Sequence, residues 1–554
     1  MTSRTDPGED AFRLRRAVDL TQAERAYRHA VDHEPHRVDA HLALAEILVE
    51  ADRPQEAVRT LQVAIGRCPG QAKLYNRLGD TLRRCGKLAA ATQAFQRATE
   101  LDGNYIAALH NLGRARQDQG AVNEAIEIYR AVIARQPDCF EAYVNLGTAL
   151  DEINSHVDAV ACYRRAIALR PQEAAAHNNL AMALHESGRL NEAIAAYDTA
   201  CQIAPRDAEM QFNRALLLIQ TGQFESGWRE YEWRWQVPGG PRKRVLGIPR
   251  WNGEPLCGRC LLVHAEQGLG DEIMFASCLP DVIALGARCR LTANPRLAAL
   301  LTRSFPAATV VAVERGKEDF DALAAGADAE IPAGSLPRLL RRTWSEFPRR
   351  SSYLVADPQR RTEWVRRFRA LGPGLKVGIS WRGGRRPVDR QKRSIPLLEW
   401  RRLLSIEHAH FINLQYGDYD EEVSQAAAAG IHLHDWPDAD ALRDVDGLAA
   451  QVSALDLVVS VSNATVHLAG ALGIPTRALL PAHTGWRWFH GHEDSPWYPS
   501  VRVLRQQEPG DWASVLTRVD RELNELAQVA CQQPGGISRS CGISRWALGS
   551  SVGT

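Results

Sequence analysis

The fold of the N-terminal part of the chain is decided by residues 72–105, which read AKLYNRLGDTLRRCGKLAAATQAFQRATELDGNY. Gly79 lies in the first half of this stretch, and Gly86 divides its two halves. Ala91 and Phe95 follow at the spacing of one helix face. Because small side chains let two helices approach closely and glycine permits a sharp turn, the stretch predicts a pair of packed helices.

The same pattern recurs outward from this stretch at an interval of 34 residues, or twice that interval. A proline closes most units, at positions 35, 69, 137, 171 and 205, and Gly103 stands at the one position that is skipped. An alanine keeps the phase through Ala23, Ala57, Ala91, Ala125, Ala159 and Ala193. The turn glycine recurs as Gly86, Gly120, Gly188 and Gly222. This period predicts an α-solenoid, a superhelix of stacked helix pairs with a concave groove. These residues resemble the tetratricopeptide repeat over about residues 5–237, in roughly six full units after a partial first one.

A row of asparagines shares the repeat period and consists of Asn111, Asn145, Asn179 and Asn213. Stacking of the units predicts that their side chains line one surface. An amide both donates and accepts, so such a row can pair with the backbone of an extended peptide. The row is similar to the asparagine ladder of the protein O-GlcNAc transferases, which implies that it binds a protein acceptor. The alternative is that asparagine is simply a common residue at this position of the repeat.

Composition sets limits on partners and location. The chain has 554 residues and a formal net charge of +1, which argues against nucleic acid as a general partner. It shows no signal peptide and no apolar stretch near the roughly 18 residues of a membrane span, so we expect a cytoplasmic protein. Eleven cysteines form no disulfide framework. Cys257 and Cys260 form a single C-x-x-C at the start of a strand, a weak metal signal, and we expect neither a metal nor a cofactor.

From Arg259 onward, short apolar strands alternate with helical stretches. Strands are expected near Arg502 and at residues 260–265, 288–292, 309–313, 375–381, 411–415, 457–461 and 476–480. This alternation predicts parallel sheets whose faces are covered, and its two series predict two doubly wound domains that face a ligand-binding cleft.

The expected organisation has four parts. The repeat superhelix takes residues 1–237, and its last helix, which carries Trp228, Trp233 and Trp235, is expected to cap the array and pack on the next domain. Two Rossmann-like halves follow at residues 238–373 and 374–530. Residues 531–554, rich in glycine and serine, are expected to form a disordered tail.

Three loops at the ends of predicted strands carry the candidate chemistry. In the first, Gly268 and Gly270 permit a sharp turn and a close backbone approach, and Asp271 begins a helix. Asp271 is therefore either a functional carboxylate or an ordinary helix cap. The sequence does not set the direction of Glu272, which follows it.

The second loop, residues 381–393, contains six arginine or lysine residues and two glycines, a composition suited to a diphosphate. A solvated basic loop is the alternative.

The third loop begins with Ser462 and Asn463, which are good helix N-caps. The start of the following helix would direct backbone amides and the helix dipole at a diphosphate. His467 lies one turn into this helix, either beside the ligand or in an ordinary structural role. The aromatic segment from Trp486 to Tyr498 either rims the pocket or packs in the core.

Taken in this order, the loops resemble the glycosyltransferase family typified by the heptosyltransferases, and bacterial proteins that fuse tetratricopeptide repeats to such a domain. The resemblance covers about residues 240–528 and rests on segments 267–272, 381–383 with 393–396, 461–472 and 494–499. It implies a GT-B fold, a nucleotide-diphosphate sugar donor, inversion at the anomeric carbon and no required metal. It further implies that Asp271 is the general base and that Lys392 or Arg393 stabilises the leaving diphosphate. Implied donor-binding residues are Gly268, Gly270, Arg382, Ser462, Asn463, Ala464, Thr465 and His467.

One departure from the family pattern keeps a second function open. The family usually has Asp-Thr where this chain has Ser462-Asn463, and that aspartate helps to hold the donor. The first hypothesis is a glycosyltransferase whose repeats recruit a protein or glycan acceptor. The alternative is a non-catalytic, peptide-binding repeat scaffold that carries a degenerate transferase domain.

Overall fold

A computed structural model describes residues 20–532, except residues 242, 244, 267, 315, 317, 318, 385, 386 and 484. The start of the partial first repeat, Gln267 of the first loop and the expected tail beyond residue 532 therefore lie outside the described residues. The chain divides into two compact units, Met1–Pro205 and Arg206–Thr554.

The first unit is a helical solenoid, as the 34-residue period predicts. Its described residues form α1 Leu20–His33, α2 Val38–Glu50, α3 Pro54–Arg67, α4 Ala72–Arg84, α5 Leu88–Leu101, α6 Ile106–Asp118, α7 Val122–Arg135, α8 Phe140–Glu152, α9 His156–Leu169, α10 Ala174–Glu186 and α11 Leu190–Ile203. The phased alanines Ala23, Ala57, Ala91, Ala125, Ala159 and Ala193 are all fully buried.

The turns between helices need a positive φ, which explains the recurrent glycine. Gly86 and Gly120 have φ values of 73° and 79°. Asp52 and Asn154 take the equivalent positions in units without glycine, with φ values of 57° and 60°. Asparagine and aspartate tolerate this left-handed conformation better than other side chains, so the turn survives the loss of glycine.

Glycine in the first helix of a unit has a packing role. A Cβ atom on Gly113 would lie 2.6 Å from the ring of Tyr129, and one on Gly79 would lie equally close to Phe95. The absence of a side chain therefore lets the aromatic ring of the second helix lie directly against the first helix.

The last helix pair of the sequence period belongs to the second unit. It consists of α12 Ala208–Gln220, α13 Phe224–Glu230 and a 3₁₀ turn over Tyr231–Trp235. Trp228 and Tyr231 are buried in the same core as the first sheet, and the Trp228 indole donates to the carbonyl of Arg341 over 3.0 Å. The observed boundary between the units follows Pro205, whereas the sequence places it after residue 237. The reason is that these aromatic side chains pack against residues that come later in the chain.

The second unit begins its α/β part with a four-stranded parallel sheet of order β3-β2-β1-β4. The strands are β1 Cys260–His264, β2 Arg288–Ala293, β3 Ala308–Ala312 and β4 Ala329–Pro332. The helices are α14 Leu269–Ala276, α15 Leu279–Ala284, α16 Pro295–Ser304, α17 Phe320–Ala324 and α18 Pro337–Leu340.

The second sheet has the order β6-β5-β7-β8-β10-β9 and is parallel except for β9. Its strands are β5 Leu375–Ser380, β6 Ala409–Asn413, β7 Leu457–Val461, β8 Thr476–Leu480, β9 Asp494–Ser495 and β10 Tyr498–Arg505. The helices are α19 Pro358–Ala370, α20 Pro387–Arg393, α21 Asp420–Ala428, α22 Val445–Ser453, α23 Ala464–Ala471 and α24 Trp512–Gln532.

The strands expected from the sequence are observed to within two residues at most ends, and the strand near Arg502 is β10. Two strands were not expected. Strand β4 has only four residues and carries a charged residue, Glu330, which is buried in contact with His264, whose Nε2 lies 2.7 Å from its carboxylate. Strand β9 has only two residues. Among the described helices, none is both long and apolar enough to cross a membrane.

Candidate functional site

A cavity of about 920 Å³ in the second unit collects the ends of strands from both sheets. Its walls come from the loops after β1, β5, β6, β7 and β8, from the start of α22 and from Arg296 on α16. Carboxyl ends of parallel strands are where open α/β sheets bind ligands, because the loops there converge. The expected residues that line it are Gly268, Gly270, Asp271, Arg382, Arg393, Ser462, Asn463, Ala464, Thr465 and His467.

Asp271 lies in the first turn of α14, but it is not the cap of that helix. The N-cap is Gly268, and Asp271 Oδ1 instead accepts a hydrogen bond of 2.6 Å from Nε of Arg487. Burial by itself raises the pKa of Asp271, but the Arg487 guanidinium outweighs it and holds this pKa below its usual range. The carboxylate is therefore ionised at neutral pH.

Glu272 has a different direction from its neighbour. Its carboxylate accepts a hydrogen bond of 3.0 Å from the backbone N–H of Asn294, at the start of α16. It lines a separate small cavity between the first sheet and helices α14, α15 and α16. Asp271, and not Glu272, is the carboxylate of the large cavity.

His467 packs beside this carboxylate, on α23. Its ring stacks on Trp488 with 5.1 Å between ring centroids, and Nδ1 lies 2.8 Å from the hydroxyl of Tyr498. Burial lowers the pKa of His467 to about 4, so the ring is neutral at physiological pH. A Cβ atom on Gly270 would lie 2.9 Å from the imidazole, which explains why glycine precedes Asp271.

Asn463 connects the loops after β5 and β7. Its Oδ1 caps α23 by accepting from the N–H of Thr465 over 2.9 Å, and its Nδ2 donates to Ser380 Oγ and to the Arg382 carbonyl. Asn463 thus shapes the cavity wall, and the Thr465 amide is already engaged. The Ser462 hydroxyl accepts a hydrogen bond of 3.0 Å from the indole of Trp488.

The basic loop supplies several arginines to the cavity. Arg382 Nε lies 3.3 Å from a carboxylate oxygen of Glu422, and the same guanidinium donates to the Asp418 carbonyl. Arg393 and Arg390, both on α20, line the cavity without an ion pair in the described part of the chain. Lys392 lies on the same helix, but the described cavity lining does not include it.

Arg487 and Trp488 line the cavity, within the segment that the sequence placed either at the pocket rim or in the core. They sit in a 3₁₀ turn, Trp486–Trp488, after β8. The guanidinium of Arg505 holds this segment by donating to the carbonyls of Trp488 and Phe489. The aromatic residues of the segment are a sequence signal for this wall, but no local pattern marks the arginine between the two tryptophans.

Gln415 is another unexpected positioning residue. Its Oε1 accepts from the backbone N–H groups of Trp381 and Arg382, at 3.0 and 2.9 Å. This side chain fixes the point where the basic loop leaves β5. A sequence signal existed only in its place at the end of the expected strand 411–415.

A buried charge cluster lies before the first loop. Arg234, 1% exposed, donates to both oxygens of Glu266 at 2.8 and 3.1 Å. Glu266 is the second residue after β1. A Cβ atom on Gly334 would lie 2.1 Å from Oε1 of Glu266, so only glycine leaves room for this carboxylate. The 3₁₀ turn that ends the repeat period thus holds the start of the loop that carries Asp271.

The asparagine row lies on half-buried positions of the repeat helices. In the first unit, Asn111 Nδ2 donates to Asn76 Oδ1 over 3.0 Å, and the Asn145 amide contacts Nε2 of His110. A second cavity, of about 360 Å³, includes Asn76 and Asn111 in its wall. Asn179 belongs to the first unit and Asn213 to the second.

Comparisons with known proteins agree with the repeat array. Models of the tetratricopeptide repeat match residues 14–78, 72–105, 110–173 and 153–208. The crystal structure of MamA is 26% identical, with a TM-score of 0.28, and covers 29% of this chain and 94% of that one. The structure of PilW, a type IV pilus biogenesis factor, is 21% identical, with a TM-score of 0.35, and covers 37% and 96%. The repeat matches identify a scaffold suited to binding peptides.

Two relatives were found by sequence. An uncharacterised protein, ycf37, of Porphyra purpurea is 39% identical over 62 residues, 11% of this chain and 36% of the relative. Protein FlbA of Caulobacter vibrioides is 32% identical over 540 residues, which are 94% of this chain and 78% of the relative. Because this second match runs through both units, the chain belongs to the family of Protein FlbA.

Proposed function

We propose that the protein is a glycosyltransferase that moves a sugar from a nucleotide-diphosphate donor to a protein or glycan acceptor. The observation that carries this proposal is the convergence of Asp271, several arginines and the start of α23 in one cavity. A carboxylate opposite a cluster of cations suits a reaction in which a hydroxyl loses a proton while a diphosphate leaves.

Asp271 is the general base in this proposal. It is ionised at neutral pH and lies at the cavity wall, so it can accept the proton of an acceptor hydroxyl. Its lowered pKa makes it a weak base while Arg487 remains its partner. The base therefore becomes more effective when that ion pair loosens.

The leaving diphosphate is held by guanidinium groups. Arg393 and Arg390 face the cavity from α20, and Arg382 stands at the beginning of the same loop. Arginine binds phosphate through two parallel N–H groups, which supplies charge neutralisation without a metal. His467 is neutral and contributes through hydrogen bonding and packing rather than charge. The proposed transfer uses the arginines in place of a metal, and direct displacement of the diphosphate by the acceptor hydroxyl inverts the anomeric carbon.

The repeats recruit the acceptor in this proposal. Half-buried amides at Asn111, Asn145 and Asn179 offer donors and acceptors to an extended backbone. This role needs no specific side chains in the acceptor, so it suits a polypeptide of variable sequence.

A thermal-shift titration of the full chain with UDP, GDP, ADP, CMP and their sugar conjugates tests the donor site. Selective stabilisation by one nucleotide diphosphate identifies the base of the donor. Transfer from the matching sugar conjugate to protein acceptors from the source cell is then measured. If none of these compounds stabilises the folded protein, the glycosyltransferase proposal fails.

A peptide-binding scaffold with a degenerate transferase domain is the second candidate. The observation that favours it is the hydrogen bond of Ser462 to the Trp488 indole, because the family's donor-holding aspartate is replaced there by a residue with a structural partner. Peptide binding without any nucleotide-dependent stabilisation supports this alternative.

A further inference from the structure

Arg487 differs from the other arginines of the cavity in how its guanidinium is held. Among the described residues, its single hydrogen bond runs from Nε to Asp271, and its Nη1 and Nη2 groups have no protein acceptor. The guanidinium carbon lies 4.6 Å from the centroid of the Trp486 ring, which supports one face of the group. The pair is partly exposed, at 29% for Arg487 and 13% for Asp271. The two terminal N–H₂ groups therefore remain available to a ligand.

Two other cavity arginines, Arg382 and Arg296, are more fully engaged by the protein. Arg382 contacts Glu422 and the Asp418 carbonyl. Arg296 donates to the Leu442 carbonyl over 2.9 Å and to the Asn294 side chain. The partner of Arg487, in contrast, is the carboxylate that the proposed reaction requires.

We propose that Arg487 is a ligand of the donor diphosphate and that it exchanges Asp271 for this diphosphate when the donor binds. The exchange releases the Asp271 carboxylate toward the acceptor hydroxyl, so the base becomes effective only beside a bound donor. This inference rests on the proposed function and adds to it an order of events at the site.

The exchange follows from charge and geometry. A diphosphate carries more negative charge than a carboxylate, and its oxygens can accept hydrogen bonds from both Nη groups of Arg487. Asp271 accepts a hydrogen bond only from Nε. His467 also lies beside Asp271, but its imidazole is neutral and cannot replace Arg487 as a cation. Tyr498, which contacts His467, has a pKa raised well above the usual value by burial, so it too brings no charge. Arg487 is thus the cation that the carboxylate and the diphosphate share.

A double-mutant cycle on the full chain tests this exchange, with inorganic pyrophosphate as the probe in isothermal titration calorimetry. Arg487→Gln should weaken pyrophosphate binding roughly tenfold or more, because a charge-assisted contact is lost. Asp271→Asn should tighten it several-fold, because the competing carboxylate is removed. In the Arg487→Gln background, Asp271→Asn should bring little further gain, because the two residues act through one ion pair.

Two further variants keep the result interpretable. Arg487→Lys keeps the charge without the fork and should give an intermediate loss, and it serves if Arg487→Gln fails to fold. Arg366→Gln removes an exposed positive charge paired with Glu363, outside the cavity lining, and should leave binding unchanged.

The contrary results separate this inference from the proposed function. If a nucleoside diphosphate or pyrophosphate binds the wild-type protein but binds the Arg487 variants equally well, the exchange is wrong and the donor site stands. An equal gain from Asp271→Asn in both backgrounds also overturns the exchange, since it reports simple charge repulsion. If no nucleoside diphosphate and no pyrophosphate binds, both proposals fail.

Discussion

The two units of the chain place their polar residues by different means. In the repeat unit, Asn111 reaches Asn76, 35 residues earlier, because successive helix pairs stack at a fixed interval. In the second unit, Asp271 meets Arg487 across 216 residues, and Asn463 reaches Ser380 across 83. A periodic surface can be read from the sequence, whereas a site made of distant loops depends on how the sheets pack. The same contrast predicts that mutations in the repeats have local effects and those around the cavity have cooperative ones.

The largest effect is expected at the cavity carboxylate. Asp271→Asn should reduce sugar transfer by roughly 10²–10⁴-fold, the usual contribution of a general base, without weakening donor binding. Transfer rates and donor affinity of the full chain are compared for wild type and variant.

The matched control for that variant is Glu272→Gln. This neighbouring carboxylate accepts from the Asn294 amide and does not line the large cavity, so transfer should stay near the wild-type rate. Unchanged transfer in Asp271→Asn would remove Asp271 from the role of base.

A core mutation tests whether the last helix pair belongs energetically to the second unit. Trp228→Ala removes a buried indole that bonds the Arg341 carbonyl and packs on Trp486 with 5.6 Å between ring centroids. We expect a destabilisation of about 3–5 kcal/mol, confined to the unfolding transition of the second unit in calorimetry of the full chain.

Trp344→Ala is the comparison for this core mutation, since Trp344 contacts the same aromatic cluster through Phe224 but is 40% exposed. The loss in free energy of unfolding should be clearly smaller for Trp344→Ala than for Trp228→Ala. An equal shift of the repeat transition in Trp228→Ala would contradict the separation of the units.

A smaller effect is expected within a single repeat. Gly113→Ala places a Cβ against the Tyr129 ring, and because Ala181 occupies the equivalent position of a later unit, the helix pair can adapt. We expect a loss of about 1–3 kcal/mol in the repeat transition, measured by denaturant unfolding.

Gly66→Ala provides the control within the same solenoid. Gly66 lies in α3 with nothing within 4 Å of an added Cβ, so alanine should stabilise the helix by about 0.5–1 kcal/mol. Loss of stability in both variants would show that packing against Tyr129 is not the cause.

The smallest effect is expected in the asparagine row. Asn145→Ala removes the contact with His110 and should cost about 1 kcal/mol, whereas Asn179→Ala, without a side-chain hydrogen bond among the described residues, should cost less. Both should weaken the capture of an acceptor peptide to a similar degree. If peptide affinity is unchanged in both variants, the row is structural.

The strands of the second unit were predictable because they are short apolar runs between polar loops, and the loops at their ends were correctly expected to reach one cavity. The partners within that cavity were not. Ser462 and Asn463 were expected to bind a donor. In the structure, the Ser462 hydroxyl accepts from the Trp488 indole, and the Asn463 side chain donates to Ser380 and caps α23. Hydrogen bonds of this kind depend on side-chain directions that no local pattern encodes.

By itself, the sequence determined the repeat array, because a 34-residue period forces each helix pair to bury its apolar face against the next. It also predicted the parallel sheets, and it named Asp271, His467 and the basic loop as site candidates beside ordinary structural alternatives. Tertiary structure alone decided that the last helix pair packs into the second unit, and that Arg487 holds Asp271. The physical reason is range: periodic burial acts between neighbours in the chain, whereas an ion pair between distant loops exists only after both sheets have packed.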